Sequence, residues 1–551
     1  MRCAATGRTK TPCCATGFRI LFRKIDKNEI EENMKSQIEI IPMPAQIRLS
    51  TGTFALTGRI VIEASAEASG AASLLAEHLK SASGLTAEVI EATEASAVHH
   101  GRPGEGAVIR MVTANEGTLQ AEGYRLDISP NGIQIAALPD GFVPAVQSLR
   151  QLLPAVREAE QSRGQAATLP CLTITDAPRF GWRGLHFDVS RHFFPVEEIK
   201  RILDLLCLYK LNRFHWHLTD DQGWRIQIMS HPELTDIGAW RTGKDGNRYG
   251  GYYTHEDVRN VLAYAAERNI TVIPEIEVPG HAVAAIAAYP HLSCSKEPVE
   301  VWTGGGISKE VFCAGKEETF SFIFDVLDEI AELFPSPLIH IGGDECPKDR
   351  WKQCPECQAR IRAEGLKDEE ELQSYFIQRV EKHLAERGKR IVGWDEILEG
   401  GLAPDATVMS WRGVEGGIAA ARAHHDVIMS PTSHCYFDYR QSANPGELGP
   451  SHFSPPVTTV AKVYQFDPIP NELTEAEHAY ILGGQANLWT EDVPTLDRAE
   501  YMLMPRLAAL AEALWSPKAA RDWDSFRTRM SAQAGRLDAM GVHYCHILES
   551  M

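Results

Sequence analysis

Asp344 and Glu345 stand side by side behind Ile339-His340-Ile341-Gly342-Gly343, an apolar run closed by two glycines. Like charges this close raise one another's proton affinity. A carboxyl lifted toward neutral pH is what proton donation to a leaving group needs. Adjacent acids are more often a solvated loop pair, but the buried strand and tight turn before these two favour chemistry. Similar groups recur behind other apolar runs: His217-Leu218-Thr219-Asp220-Asp221, Glu275 to His281, Trp394-Asp395-Glu396, Trp411-Arg412, Tyr436-Phe437-Asp438 and Trp489-Thr490-Glu491. Carboxylates exchange protons and bind hydroxyls, and tryptophan faces stack on the C–H faces of sugar rings. One tryptophan alone is as often packing; three in corresponding places point to a carbohydrate substrate. No serine-histidine-acid pattern stands out.

These groups must share one mouth, so the elements between them matter. Eight short apolar runs read as strands: Leu185–Val189, Arg213–Leu218, Thr271–Ile276, Leu338–Gly342, Arg390–Trp394, Thr407–Trp411, Val427–Ser430 and Ile481–Ala486. Amphipathic helices are predicted at 196–209, 255–268, 319–333, 372–387 and 414–424, with a last one at about 499–514. Pro195 suits the first turn of the first of these. Thr254-x-x-Asp257 resembles a capping box for the second. This alternation predicts a (β/α)₈ barrel over 176–551, whose reactive residues belong at the C-terminal ends of the strands. The acids and tryptophans sit just there. A doubly wound open sheet is the alternative, without a glycine-rich phosphate loop to support it.

Residues 36–175 read as a small α+β domain. Ile38–Ile41 and Arg59–Ile62 are predicted strands, and 71–82 a helix. Tyr124 to Ile128 and Ile133 to Ile135 alternate with polar residues about Pro130-Asn131-Gly132, a hairpin signal. A helical pattern follows through Leu149, Leu152 and Leu153. Residues 1–35 read as a loose tail. The first 24 hold six basic side chains, no acidic one and no apolar core of a secretory signal. A cytoplasmic location is therefore expected.

With 55 basic and 74 acidic side chains, the formal net charge is −19. That excludes the basic footprint of general nucleic-acid binding. No apolar run is long enough for a membrane-spanning helix. Twelve cysteines are spread along the chain. Cys346, Cys354 and Cys357 form the tightest group, a weak zinc signal without an evident fourth ligand. His215, His217 and His281 leave a metal-dependent barrel hydrolase open as a rival, and a non-catalytic sugar-binding barrel is another.

Taken together, Trp182-Arg183-Gly184, Asp188-Val189-Ser190-Arg191-His192-Phe193-Phe194, the His215–Arg225 segment, Pro274–His281, His340–Glu345, Gly393–Glu396 and Leu488–Glu491 resemble glycoside hydrolase family 20, the β-N-acetylhexosaminidases. The likeness runs from about 176 to 515, and 36–175 suits the family's N-terminal domain more loosely. The resemblance implies an exo-acting retaining enzyme on a glycan or glycoconjugate, in which the substrate's own acetamido oxygen attacks the anomeric carbon. No cofactor or metal is implied. By the same resemblance, Glu345 is the acid/base, Asp344 orients the acetamido N–H and Tyr436 holds its carbonyl oxygen. Trp394, Trp411 and Trp489 box its methyl group. Arg183, Asp438 and Glu491 bind the outer hydroxyls, and Asp220 and His281 support the acid/base carboxyl. Glu277 departs from the Asp that many relatives carry. His186 reads as a histidine held inside the barrel.

Overall fold

The computed structural model describes residues 38–57, 59–92, 107–115, 117–153, 167–243, 245–444, 446–450 and 455–546. The expected tail lies outside them. Seven strands of the first unit form one mixed sheet, with Gln46–Leu56 and Ala167–Asp176 paired antiparallel at one edge. Tyr124–Ser129 and Gly132–Ala137 make the predicted hairpin. Helices Ser69–Ser83 and Phe142–Leu152 cover the sheet, and Leu75, Leu79, Val146 and Leu149 join Ile62, Ile109, Leu126 and Ile135 in its core.

The predicted strand at Ile38–Ile41 does not form. Its backbone groups are satisfied by side chains instead. The amide of Gln151 both accepts from Ile41 N and donates to Ile41 O, Arg529 donates to Ile40 O, and Gln533 donates to Glu39 O. Side chains thus stand in for a partner strand at the carbonyls of Glu39, Ile40 and Ile41 and at the Ile41 N–H.

Eight parallel strands close a barrel: Trp182–Asp188, Arg213–His217, Thr271–Val278, Leu338–Gly342, Arg390–Trp394, Thr407–Ser410, Val427–Met429 and Ile481–Leu488. The eighth pairs with the first in register from Gly483↔Trp182 to Leu488↔Phe187. Each predicted strand has its counterpart. Helix Val196–Leu208 opens with Pro195 at the N-cap, one place before the first turn. Helix His255–Ala266 opens with the full capping box, Thr254 Oγ1 accepting from Asp257 N at 3.1 Å and Asp257 accepting from Thr254 N at 2.9 Å. The last predicted helix is split into Leu496–Leu503 and Arg506–Trp515 by Met504-Pro505, since proline has no N–H to continue the ladder. A further helix, Trp523–Ala539, follows.

The two units share a buried joint. Asp176, which ends the N-terminal sheet, accepts from Tyr124, Lys210 and Trp515. Inside the barrel, Trp182, Ile273, Val392, Met409 and Ile428 form an apolar cluster. With side chains alternating along each strand, His186, His215, Glu275 and His340 also point inward and gather above it. Among the described residues, no helix is long and apolar enough to cross a membrane.

Candidate active site

Glu275 is the charged hub beneath the mouth. It is fully buried and accepts from Trp394 Nε1 at 3.0 Å and from the imidazole of His217. His215 and His340 reach it at 2.9 and 2.7 Å. Burial alone would raise its carboxyl, but the three imidazoles hold it well below the usual range. Burial likewise disfavours a charged His217, yet Glu275 and Asp220 push that imidazole up to about 10. Both its nitrogens face carboxylates, Glu275 on one side and Asp220 on the other, which is the arrangement of a cation in a salt network. His186, lowered to about 4 by burial, packs 4.3 Å from the Trp489 ring and stays neutral.

The next layer up is a chain of acid, base and acid. Asp220 Oδ2 accepts from His217 at 2.9 Å and pairs with Arg191 at 2.8 Å. Its other oxygen faces His281 Nδ1 at 3.2 Å. His281 Nε2 then lies 3.5 Å from Asp344 and 3.7 Å from Glu345. Against the effect of burial, Asp220 and Asp344 hold His281 well above the usual imidazole range. Glu345 is raised, first by burial and then by the Asp344 charge.

The local backbone explains how the fourth strand presents these acids. Gly342 and Gly343 take φ of 67° and 93°, and Glu345 itself takes 44°. A Cβ on Gly342 would meet the Glu277 carboxyl at 1.6 Å, so only glycine lets the strand turn there. A left-handed non-glycine residue such as Glu345 is uncommon and collects at functional sites. Glu277 is buried with neither oxygen hydrogen-bonded, and burial with the Asp344 and Glu275 charges holds its carboxyl well above the usual range.

Aromatic and polar groups complete the wall. The Trp394 and Trp489 rings lie 5.8 Å apart, and Trp411 stacks on Tyr436 at 6.0 Å and 25°. Trp411 Nε1 donates to Glu396, which burial and Asp344 raise to about 8. Asp438 and Glu491 are both raised, chiefly by burial. Asp344 Oδ1 and Asp438 Oδ1 are buried without a partner. Unpaired polar atoms of this kind are costly unless a ligand completes them.

Of the residues expected here, Asp220, His281, Asp344, Glu345, Trp394, Trp411, Tyr436, Asp438, Trp489 and Glu491 come to this end of the barrel. Arg183 does not. It lies near the N-terminal end of the first strand, about 16 Å of extended chain before Asp188 ends it. Its guanidinium clamps Glu122 of the first unit at 2.6 and 3.1 Å and binds the carbonyls of Phe180 and Lys210. The arginine at the mouth is Arg191, just past the same strand. It spans Asp188, Asp220 and Glu491 and lies 5.0 Å over the Trp489 ring. Its place after a strand end was the signal present in the sequence. Glu275 and Glu396 also belong here; both stand in the strand-end motifs.

A family model for the glycosyl hydrolase family 20 catalytic domain matches residues 180–518, and one for domain 2 of the same family matches 37–177. The chain belongs to glycosyl hydrolase family 20. This family 20 chain is a glycosidase. It is 46% identical over 541 residues to a β-hexosaminidase of Porphyromonas gingivalis, covering 97% of this chain and 67% of that one. It is 37% identical to a β-hexosaminidase of Vibrio furnissii, covering 88% and 78%. Its fold matches an exo-β-N-acetylglucosaminidase of Vibrio harveyi, solved with N-acetylglucosamine, at a TM-score of 0.81 and 35% identity over 92% of this chain and 78% of that one.

Proposed function

We propose that this family 20 glycosidase is an exo-acting, retaining β-N-acetylhexosaminidase that removes terminal non-reducing N-acetyl-D-hexosamine from β-linked glycans. The names of the similar enzymes support the substrate class. The observation that carries the mechanism is the relation of Asp344 to Glu345. They leave one strand end as neighbours, with His281 within 3.7 Å of both. A retaining nucleophile and acid face each other across the sugar ring; two consecutive residues on one loop suit flanking roles better.

In this reading Glu345, kept protonated by burial and by Asp344, gives its proton to the departing glycosidic oxygen. The substrate's acetamido oxygen attacks the anomeric carbon as that bond breaks, forming an oxazolinium ring. Asp344 Oδ1, unpartnered in the protein, accepts the acetamido N–H and offsets the charge there. Glu345, now a carboxylate, takes a proton from water, whose oxygen opens the ring with net retention. A neutral amide is a weak nucleophile, so holding it in position contributes much of the rate. Trp394, Trp411 and Trp489 box its methyl group and Tyr436 binds its carbonyl oxygen. Asp438, Glu491 and Arg191 bind the outer hydroxyls, Arg191 taking the place expected of Arg183. Asp220 and His281 position and tune the acid.

The test compares 4-nitrophenyl β-N-acetylglucosaminide with the β-glucoside, which lacks the acetamido group. The first is cleaved and strongly protected by a thiazoline analogue of the cyclised sugar; the second is nearly inert. A 2-deoxy-2-fluoro glycoside labels no residue. A glycosyl ester on any carboxylate, seen by mass spectrometry, overturns the substrate-assisted route.

A further inference from the structure

Behind the loop that carries Asp344 and Glu345, four cysteines from two separate connections converge. Cys294 and Cys313 belong to the long connection after the third barrel strand, and Cys354 and Cys357 to the one after the fourth. Their sulfurs lie 3.7 Å apart for Cys294 and Cys357, 3.7 Å for Cys313 and Cys354, and 3.6 Å for Cys313 and Cys357. All four lie within 4.8 Å of one another. Cys313, Cys354 and Cys357 are buried and Cys294 is half-buried.

These separations have a chemical meaning. A tetrahedron of thiolates about 2.3 Å from a zinc ion has edges of about 3.8 Å. A disulfide places its sulfurs about 2 Å apart, and all four thiols are free. The three measured separations match the edges of such a tetrahedron, and four thiols are the ligand type of a closed structural zinc site. Gly315 is the residue that lets the two connections touch, since a Cβ there would lie 2.2–2.6 Å from the backbone of Glu356 and Cys357. Glu356 Oε2 approaches Cys354 at 3.3 Å, but its other oxygen is paired with Lys296 at 2.9 Å.

We propose that Cys294, Cys313, Cys354 and Cys357 bind one zinc ion as a tetrathiolate, stapling the third connection to the fourth. Binding releases four thiol protons and leaves a centre of net charge −2. The pair Cys354-x-x-Cys357 was visible in the sequence, but its expected companion Cys346 is not part of the cluster. Its true companions come from 41 and more residues upstream. The staple's role is to position: the same contact holds Trp351 Nε1 against Phe312 O at 2.9 Å, six residues beyond Glu345.

The test uses the full chain, purified without chelator or a metal-binding tag. Elemental analysis is expected to find one zinc per chain, released by an organic mercurial as four thiols react. Cobalt-grown enzyme is expected to show sulfur-to-cobalt charge-transfer absorption and tetrahedral d–d bands. Cys294→Ser and Cys357→Ser, each removing one of the four ligands, are expected to leave well under one zinc per chain, while Cys171→Ser, a buried thiol elsewhere, keeps one zinc. If the serine variants do not fold, the wild-type zinc count and cobalt spectrum still decide. A metal-free wild type, a mononuclear iron, or an intact mass showing two disulfides overturns the proposal.

Discussion

Asp220 Oδ1 and His281 Nδ1 face each other at 3.2 Å, and the far nitrogen of the same ring reaches both acids of the fourth strand. The Asp220 charge is the largest force raising the His281 imidazole against its burial. A cationic His281 in turn lowers the Glu345 carboxyl. Asp220→Asn removes the largest charge raising His281, leaving Asp344, and also the smaller direct lift of Asp220 on Glu345. The His281 effect is the larger of the two on Glu345, so Glu345 holds its proton to higher pH. The basic limb of kcat/KM, which reports loss of the acid's proton, is expected to move up while kcat falls. A basic limb unmoved within error would disconnect Asp220 from Glu345.

Asp344→Asn is expected to move the same limb the other way. The Asp344 charge raises Glu345, so its removal lowers that carboxyl and activity fades at lower pH. The activation barrier should rise by about 3–4 kcal/mol, the typical effect of removing one oriented group that stabilises charge in a transition state. The two limbs, measured side by side on one substrate, check both signs at once.

The two arginines of the first strand should part company under mutation. Arg183→Met breaks a buried pair with Glu122 and is expected to cost about 3–5 kcal/mol of stability, with KM and kcat of the folded enzyme near wild type. Arg191→Met is expected to cost about 2–3 kcal/mol in kcat/KM, roughly 30- to 150-fold, because charged hydrogen bonds to substrate hydroxyls are removed. Denaturant melts paired with steady-state kinetics distinguish them.

His217 gives the fold a pH dependence of its own. Its imidazole is about 10 in the folded barrel against 6.5 when free. The folded state therefore binds this proton more tightly than the unfolded state. Its stabilisation is complete below about pH 6.5, wanes as pH rises and is lost past pH 10. Wild type is expected to lose more Tm between pH 6.5 and pH 9.5 than His217→Asn. Equal losses would show that another group sets the slope.

The barrel was legible because its strands are short apolar runs, most of them closed by glycines, acids or tryptophans, and that grammar is local. Arg183 and Arg191 show where it stops. Both sit in one recognisable segment, and only strand direction says which end of the barrel each one serves. Cys294 and Cys313 were silent because nothing near either in sequence marks it; only the approach of two connections makes them neighbours. Ile38–Ile41 misled because its burial is apolar and strand-like, while its hydrogen bonds go to Gln151, Arg529 and Gln533, far along the chain.

The knot at Asp176 bears on how the chain comes apart. Lys210 of the barrel is buried, and its ammonium is matched by that carboxylate, which belongs to the last strand of the N-terminal sheet. Trp515, near the far end of the barrel's chain, donates to the same oxygen. Cutting the chain between the two units to express the barrel alone would strand a charge in its wall. Neither unit then has an autonomous melting point: calorimetry should record one cooperative peak for the pair, and the isolated barrel should be found largely insoluble.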